Sequence, residues 1–261
     1  MSAKSSELAL EQGAKAPLVI LPGLICDSRM FADTLAAFSG SMVVDGFYGG
    51  ADRIEAMADH ALGLIPERCA LLGHSMGARV ALELVRKAPG RVERLALVDT
   101  GVHPVKPGER EGRYRLRDLG RAQGMAALVA EWLPPMMGAG SLRDEALMDR
   151  LYAMAVAAGL QVFEAQIEAL LHRPAVDTLL PTIACPTIAM VGQEDRWSPV
   201  AQHEAIAAAI PGARLRVVPG AGHMMPAETP QAFNGQVREW LDQPSSPDAI
   251  SISGRRRGLN D

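Results

Sequence analysis

Cysteine, aromatic residues, long apolar runs and net charge are all scarce in this chain, and each scarcity removes a class of protein. The cysteines number three, Cys26, Cys69 and Cys185, with no Cys-x-x-Cys pair. An odd, scattered set of this kind supports neither a disulfide scaffold nor a thiolate metal site, and it reads as buried thiols of a reducing compartment. No apolar run reaches the roughly 18 residues of a membrane span, and Met1 to Lys15 carries no basic start followed by an apolar core. A cytoplasmic location without a membrane partner is the expectation. The formal charge of -4 gives no cationic footprint for nucleic acid, and Arg255-Arg256-Arg257 alone releases too few counterions to hold a polyanion. No histidine or carboxylate pair has metal-ligand spacing, and no Gly-x-Gly-x-x-Gly follows a strand. Neither a metal nor any other cofactor is expected.

What the chain has is alternation. Apolar strand signals at 18–21, 42–44, 69–72, 95–98, 187–191 and 215–218 are interleaved with helical patterns at 31–38, 54–64, 76–87 and 229–241. Strands that alternate with helices give an α/β fold with a mostly parallel sheet flanked by helices. With 261 residues, 48% of them hydrophobic, the chain can bury one sizeable core, and 25 Gly and 18 Pro suit many strand–helix turns.

One turn carries chemistry. Gly73-His74-Ser75-Met76-Gly77 places a serine between two glycines, directly after an apolar strand and before a helical pattern. That is the arrangement of a nucleophile elbow, in which a strained strand-to-helix turn holds the hydroxyl clear of the backbone. The same turn aims the Met76 N–H, at the start of a helix, at any developing oxyanion. Downstream, Asp195 follows strand 187–191 and His223 follows strand 215–218. Ser, then Asp, then His is the chain order of the α/β-hydrolase triad, and each residue sits just past the carboxyl end of a strand, where parallel sheets build their sites. Asp99, ending strand 95–98, and Glu194 remain competing carboxylates.

On these residues, the chain from about Leu18 to Leu241 resembles a serine hydrolase of the α/β-hydrolase superfamily, among its small esterase and lactonase-like members. The resemblance implies Ser75 as nucleophile, Asp195 as orienting acid and His223 as base. It extends to Leu21-Pro22-Gly23-Leu24, similar to the superfamily's oxyanion turn with Pro22 in place of the usual His, and it makes the Leu24 N–H the second oxyanion donor. Few residues precede Leu18, leaving little room for the antiparallel pair that usually opens such folds. A sheet of about six to seven strands is therefore expected. The implied activity is hydrolysis of small-molecule carboxylic esters through an acyl-enzyme, with a lactonase or carbon–carbon hydrolase as the alternative and a non-catalytic ligand-binding homologue as the remote one. The oligomeric state is not legible.

Between Gly101 and Pro181 strand signals stop and helical patterns take over, which places a helical lid after the strand ending near Asp99. The expected organisation is a core of 1–101 and 182–242, a lid of 102–181 and a disordered tail of 243–261. Met136 and Met137, after Pro134-Pro135, are candidate pocket residues because thioethers repack easily, and Trp132 and Trp197 are divided between pocket wall and core. His74 reads as a packing residue of the elbow. Cys26 and His103 are placed to face a pocket, though Cys26 reads first as structural.

Overall fold

The computed structural model describes residues 16–244, so most of the tail expected at 243–261 lies outside the described residues. The chain runs β1 (Leu18–Leu21), α1 (Ala32–Ala37), β2 (Met42–Val43), α2 (Ile54–Leu62), β3 (Cys69–His74), α3 (Met76–Lys87) and β4 (Val92–Val98). Helices α4 (Glu109–Gln123), α5 (Met125–Trp132), α6 (Glu145–Ala158) and α7 (Leu160–Leu171) follow without an intervening strand. The chain then resumes with β5 (Thr187–Gly192), α8 (Val200–Ala209), β6 (Arg214–Val218), α9 (Met225–Glu228) and α10 (Pro230–Leu241).

The strands form one six-stranded sheet in the order β2-β1-β3-β4-β5-β6, every pair parallel. Strands buried on both faces read as continuous apolar runs because each face needs its own cover. Leu18, Ile20, Leu72, Ala96 and Val98 point into a core built with α5 to α7 and α10, where Trp132, Phe163, Phe233 and Trp240 pack. Val19, Leu21, Leu71, Leu95 and Leu97 point the other way, against Ile54 and Met57 of α2, Val80 and Leu84 of α3 and Ile206 of α8. This period-2 division fixes the register, since a one-residue slip would exchange the two cores.

β3 and β4 run longer than their apolar runs. Gly73 and His74 pair with Leu97 and Val98, and β4 begins at Val92 opposite Cys69. The extension carries β3 to the residue before Ser75. Between β4 and β5 the described residues form helices, 3-10 turns and loops but no strand. No single helix in the described chain is long and apolar enough to cross a membrane; α6 and α7 pass together by composition but are bent 86° apart.

Candidate active site

The elbow is strained as its sequence implies. Ser75 has φ 53° and ψ -115°, a backbone region that side chains rarely occupy. The flanking glycines leave no alternative: a Cβ on Gly73 would stand 2.5 Å from Cα of Ala78, and one on Gly77 would overlap the carbonyl oxygen of Leu21. The turn is pinned from both sides, with the Ser75 N–H donating to the Val98 carbonyl at 2.8 Å and Thr100 Oγ1 donating to the Ser75 carbonyl at 2.9 Å.

Loops after β5 and β6 bring the other two residues to the hydroxyl. His223 Nε2 lies 2.9 Å from Ser75 Oγ, and its Nδ1 lies 2.8 Å from Asp195 Oδ2. The second carboxylate oxygen, Oδ1, accepts the N–H groups of Trp197 and Ser198, each at 2.8 Å. Burial pushes the Asp195 carboxyl up, but the contact with His223 and these two N–H donors outweigh it and hold the group below the usual carboxylate range. The His223 loop is ordered by Glu228, whose Oε1 accepts from Gly222 and Met224 N–H and whose Oε2 accepts from Gly138 N–H. The His223 N–H donates to the Met136 carbonyl at 2.7 Å.

The competing carboxylates are elsewhere. Asp99 is fully buried, with φ 45°, and its Oδ1 accepts from Gly192 N–H at 2.9 Å. Desolvation, reinforced by the charge of Asp195, pushes its pKa well above the ordinary value, and its Oδ2 lies 3.8 Å from His74 Nε2 rather than at His223. Glu194 accepts from Ala139 N–H at 2.7 Å. His74 is a structural neighbour: Nε2 sits 2.8 Å from the His223 carbonyl oxygen, and burial with the nearby His223 lowers its pKa to about 3, leaving it neutral.

The turn after β1 holds the second oxyanion candidate. Ile25 adopts φ 49°, and its N–H donates to Gln166 Oε1 on α7 at 2.7 Å, while Tyr48 Oη donates to the Pro22 carbonyl at 2.8 Å. With those anchors in place, the Leu24 and Met76 N–H groups donate to no protein acceptor among the described residues. Tyr48 and Gln166 thus hold a loop that lacks the usual histidine.

Ser75 and His223 open on a cavity of about 390 Å³ whose wall includes Leu24, Met76, Trp132, Met136 and Trp197. An adjoining apolar chamber of about 180 Å³ shares Leu24, Trp132 and Trp197 and adds Phe163 and Ile167. Met137 does not line either space. The 3-10 turn Pro134–Met136 ends before it, Met137 is extended at φ -92° and ψ 147°, and its side chain packs in the core, which corrects its expected place in the pocket. Trp197 stands at the mouth, 45% exposed. Cys26 does face the cavity, but burial raises its thiol pKa far above the ordinary value, which disfavours the thiolate. His103 lines the cavity as well. Sequence reasoning passed over Arg79, Glu109, Arg113 and Arg173, which complete one wall. Arg79 was the most legible of them, one helical turn beyond Ser75. No group of three or more His, Cys, Asp or Glu side chains that could hold a metal ion occurs among the described residues.

Comparisons with known proteins bear on the fold and the family. A protein of Caulobacter sp. (strain K31), provisionally named the carbamate hydrolase RutD, is 30% identical over 200 residues, covering 74% of this chain and 70% of its own length. The malate-bound structure of a thermophilic esterase from Thermogutta terrifontis superposes with a TM-score of 0.76 at 30% identity, covering 88% of this chain and 90% of that one. The enol-lactonase of Burkholderia xenovorans LB400 gives a TM-score of 0.76 at 26% identity, over 88% of this chain and 93% of that one. Residues 18–236 match the alpha/beta hydrolase family, and the chain belongs to it: its fold and its relatives are those of a hydrolase.

Proposed function

We propose that the protein hydrolyses small carboxylic esters through an acyl-enzyme on Ser75. The observation that carries this reading is the unbroken relay Asp195–His223–Ser75, with contacts of 2.8 and 2.9 Å, at the floor of a cavity flanked by two unpartnered backbone N–H groups. In the first half-reaction Ser75 Oγ attacks the ester carbonyl carbon while His223 Nε2 takes its proton. Asp195 keeps the remaining ring proton on Nδ1 and stabilises the imidazolium. The carbonyl oxygen gains negative charge between the N–H groups of Leu24 and Met76, at the positive end of α3. Collapse expels the alcohol, which leaves with the proton from His223. Water then repeats the sequence on the acyl-enzyme and releases the acid.

The segment 102–181 acts as a lid in this reading. Trp132 and Met136 contribute to the wall of the cavity that holds Ser75, and the space of about 390 Å³ suits compact substrates rather than long acyl chains. A 4-nitrophenyl ester series tests this. Activity is expected on short chains, with kcat/KM falling beyond about ten carbons and no jump when substrate forms micelles; a rise through long chains would instead indicate a lipase. A lactone reading uses the same atoms, and the likeness to the enol-lactonase favours it. A lactone panel run beside the esters separates the two, because a lactonase would show its higher kcat/KM on the cyclic substrates.

A further inference from the structure

The cavity wall beside Ser75 carries more positive charge than the protein neutralises. Arg79, Lys106, Arg113, Arg173 and Arg196 line it, and Glu109 is the sole carboxylate among the lining residues. Lys106 and Arg196 are exposed at the mouth, but the other three are held inside: Arg79 is 5% and Arg113 8% exposed, and the Arg173 side chain 3%. Glu109 is shared between two of them, with contacts of 2.9 Å to Arg113 and 2.6 Å to Arg173. Arg173 is fully employed, donating to Glu109 through both terminal nitrogens and to the His103 carbonyl through Nε.

Arg79 is not. Its one hydrogen bond runs from Nη2 to the His103 carbonyl at 2.6 Å, and it has no ion-pair contact with any carboxylate among the described residues. Three buried guanidinium groups face Glu109 inside the wall and only the exposed Asp177 outside it, so the wall keeps a net positive charge, an arrangement that costs stability unless an anion completes it. The cost is visible in the group itself: burial, with the charge of Arg173 nearby, lowers the Arg79 pKa to about 9. Arg79 lies four residues beyond Ser75, about 6 Å along the α3 axis. A negative group on the substrate would therefore stand a few bonds from the scissile carbonyl.

From this wall we infer that the enzyme's substrates are anionic, and that Arg79, with Arg113 beside it, receives a carboxylate of the ester being cleaved. The inference rests on the ester-hydrolase reading for the reacting group and adds the charge class of the molecule that carries it. A planar guanidinium matches a carboxylate through paired N–H donors, which a lysine could not reproduce. The adjoining chamber, bordered by the Glu109–Arg113 pair and walled in part by Leu116, Phe163 and Ile167, would take an apolar arm of the same molecule.

Two matched ester pairs test it, one with the charge on the acyl side and one with it on the leaving group. The first is mono(4-nitrophenyl) adipate against its neutral methyl diester; the second is 4-acetoxybenzoate against its methyl ester. The parent enzyme is expected to prefer the anionic member of at least one pair by about 10- to 100-fold in kcat/KM, the range of a charge-assisted contact. In Arg79→Gln that ratio should collapse toward one, with Arg79→Lys intermediate. Ratios at or below one in both pairs, with neutral esters turned over, would overturn the subsite while leaving the hydrolase reading intact. Free acetate that accelerates the neutral esters would also overturn it, by assigning the wall to a separate anion. If no ester is cleaved at all, the hydrolase reading fails, and calorimetry on Ser75→Ala judges the subsite alone. There the anionic ester should bind at least tenfold tighter than its neutral partner, and equal binding refutes the proposal. Calorimetry on Ser75→Ala also serves if Arg79→Gln does not fold.

Discussion

Exchanging one carboxylate for an amide at each of two buried aspartates separates the residue that orients His223 from the one that does not. Asp195→Asn keeps the shape of the side chain and its two backbone contacts from Trp197 and Ser198, but it replaces the acceptor 2.8 Å from His223 Nδ1 with a neutral group. With the amide nitrogen facing the ring, His223 carries its proton on Nε2 and cannot accept the one on Ser75. The expected loss is about 10⁴-fold in kcat, or about 5.5 kcal/mol of transition-state stabilisation. Asp99→Asn makes the same change in a group whose charged form burial already disfavours. The new side-chain oxygen still accepts the Gly192 N–H, and asparagine tolerates the φ of 45°. Its kcat should stay within about tenfold of the parent, the scale of one ordinary hydrogen bond. Initial rates on 4-nitrophenyl butyrate, with circular dichroism to verify folding, give the comparison. A folded Asp99→Asn that loses more kcat than Asp195→Asn would refute the reasoning.

Three further outcomes are expected. Gln166→Leu removes the acceptor that holds the Ile25 N–H beside the oxyanion turn, so kcat should drop about tenfold with KM nearly unchanged, a fraction of the cost of deleting an oxyanion donor outright, and Gln166→Glu should restore it; equal losses in both variants would contradict a positioning role. Met136→Ala should change acyl-chain selectivity, whereas Met137→Ala should leave selectivity alone and cost about 2–5 kcal/mol of stability, as measured by urea unfolding. Acid should weaken the fold early. His74 and His203 are lowered by burial to about 3 and about 4 from 6.5, and burial lowers His103 as well, so as pH falls below 6.5 the unfolded chain gains protons that the folded one refuses; Asp99, raised by burial, opposes them. The lowered histidines outnumber the one raised carboxyl, so stability should fall as pH drops from about 6 towards 4, by about 1.4 kcal/mol per pH unit for each net proton taken up on unfolding. Urea midpoints that stay flat across that window would rule this balance out.

The sheet was legible because every strand but the edges carries an apolar run buried on both faces, and Ser75, Asp195 and His223 were legible as candidates because each sits in the turn or loop that follows a strand. Strand ends were less so: Gly73 and His74 carry no apolar signal, and only pairing with Leu97 and Val98 makes them strand. The wall of the cavity was hardest to read. Arg79, Glu109 and Arg173 come from α3, α4 and the loop after α7, and nothing in their spacing announces that they converge on the His103 carbonyl and on one another. Glu109 and Arg113 have the i,i+4 spacing of an ordinary surface pair, which their burial belies. Met136 and Met137 are adjacent in sequence, and only the end of a single 3-10 turn sends one to the cavity and the other to the core.

The central claim is that Ser75 is a nucleophile activated by His223. Treatment with a fluorophosphonate probe, followed by intact-mass measurement and peptide mapping, tests it without any assumption about substrate. Stoichiometric phosphonylation is expected at Ser75, absent in Ser75→Ala and slowed by orders of magnitude in His223→Ala. A folded parent protein that resists the probe, or that is labelled at another residue, would contradict it.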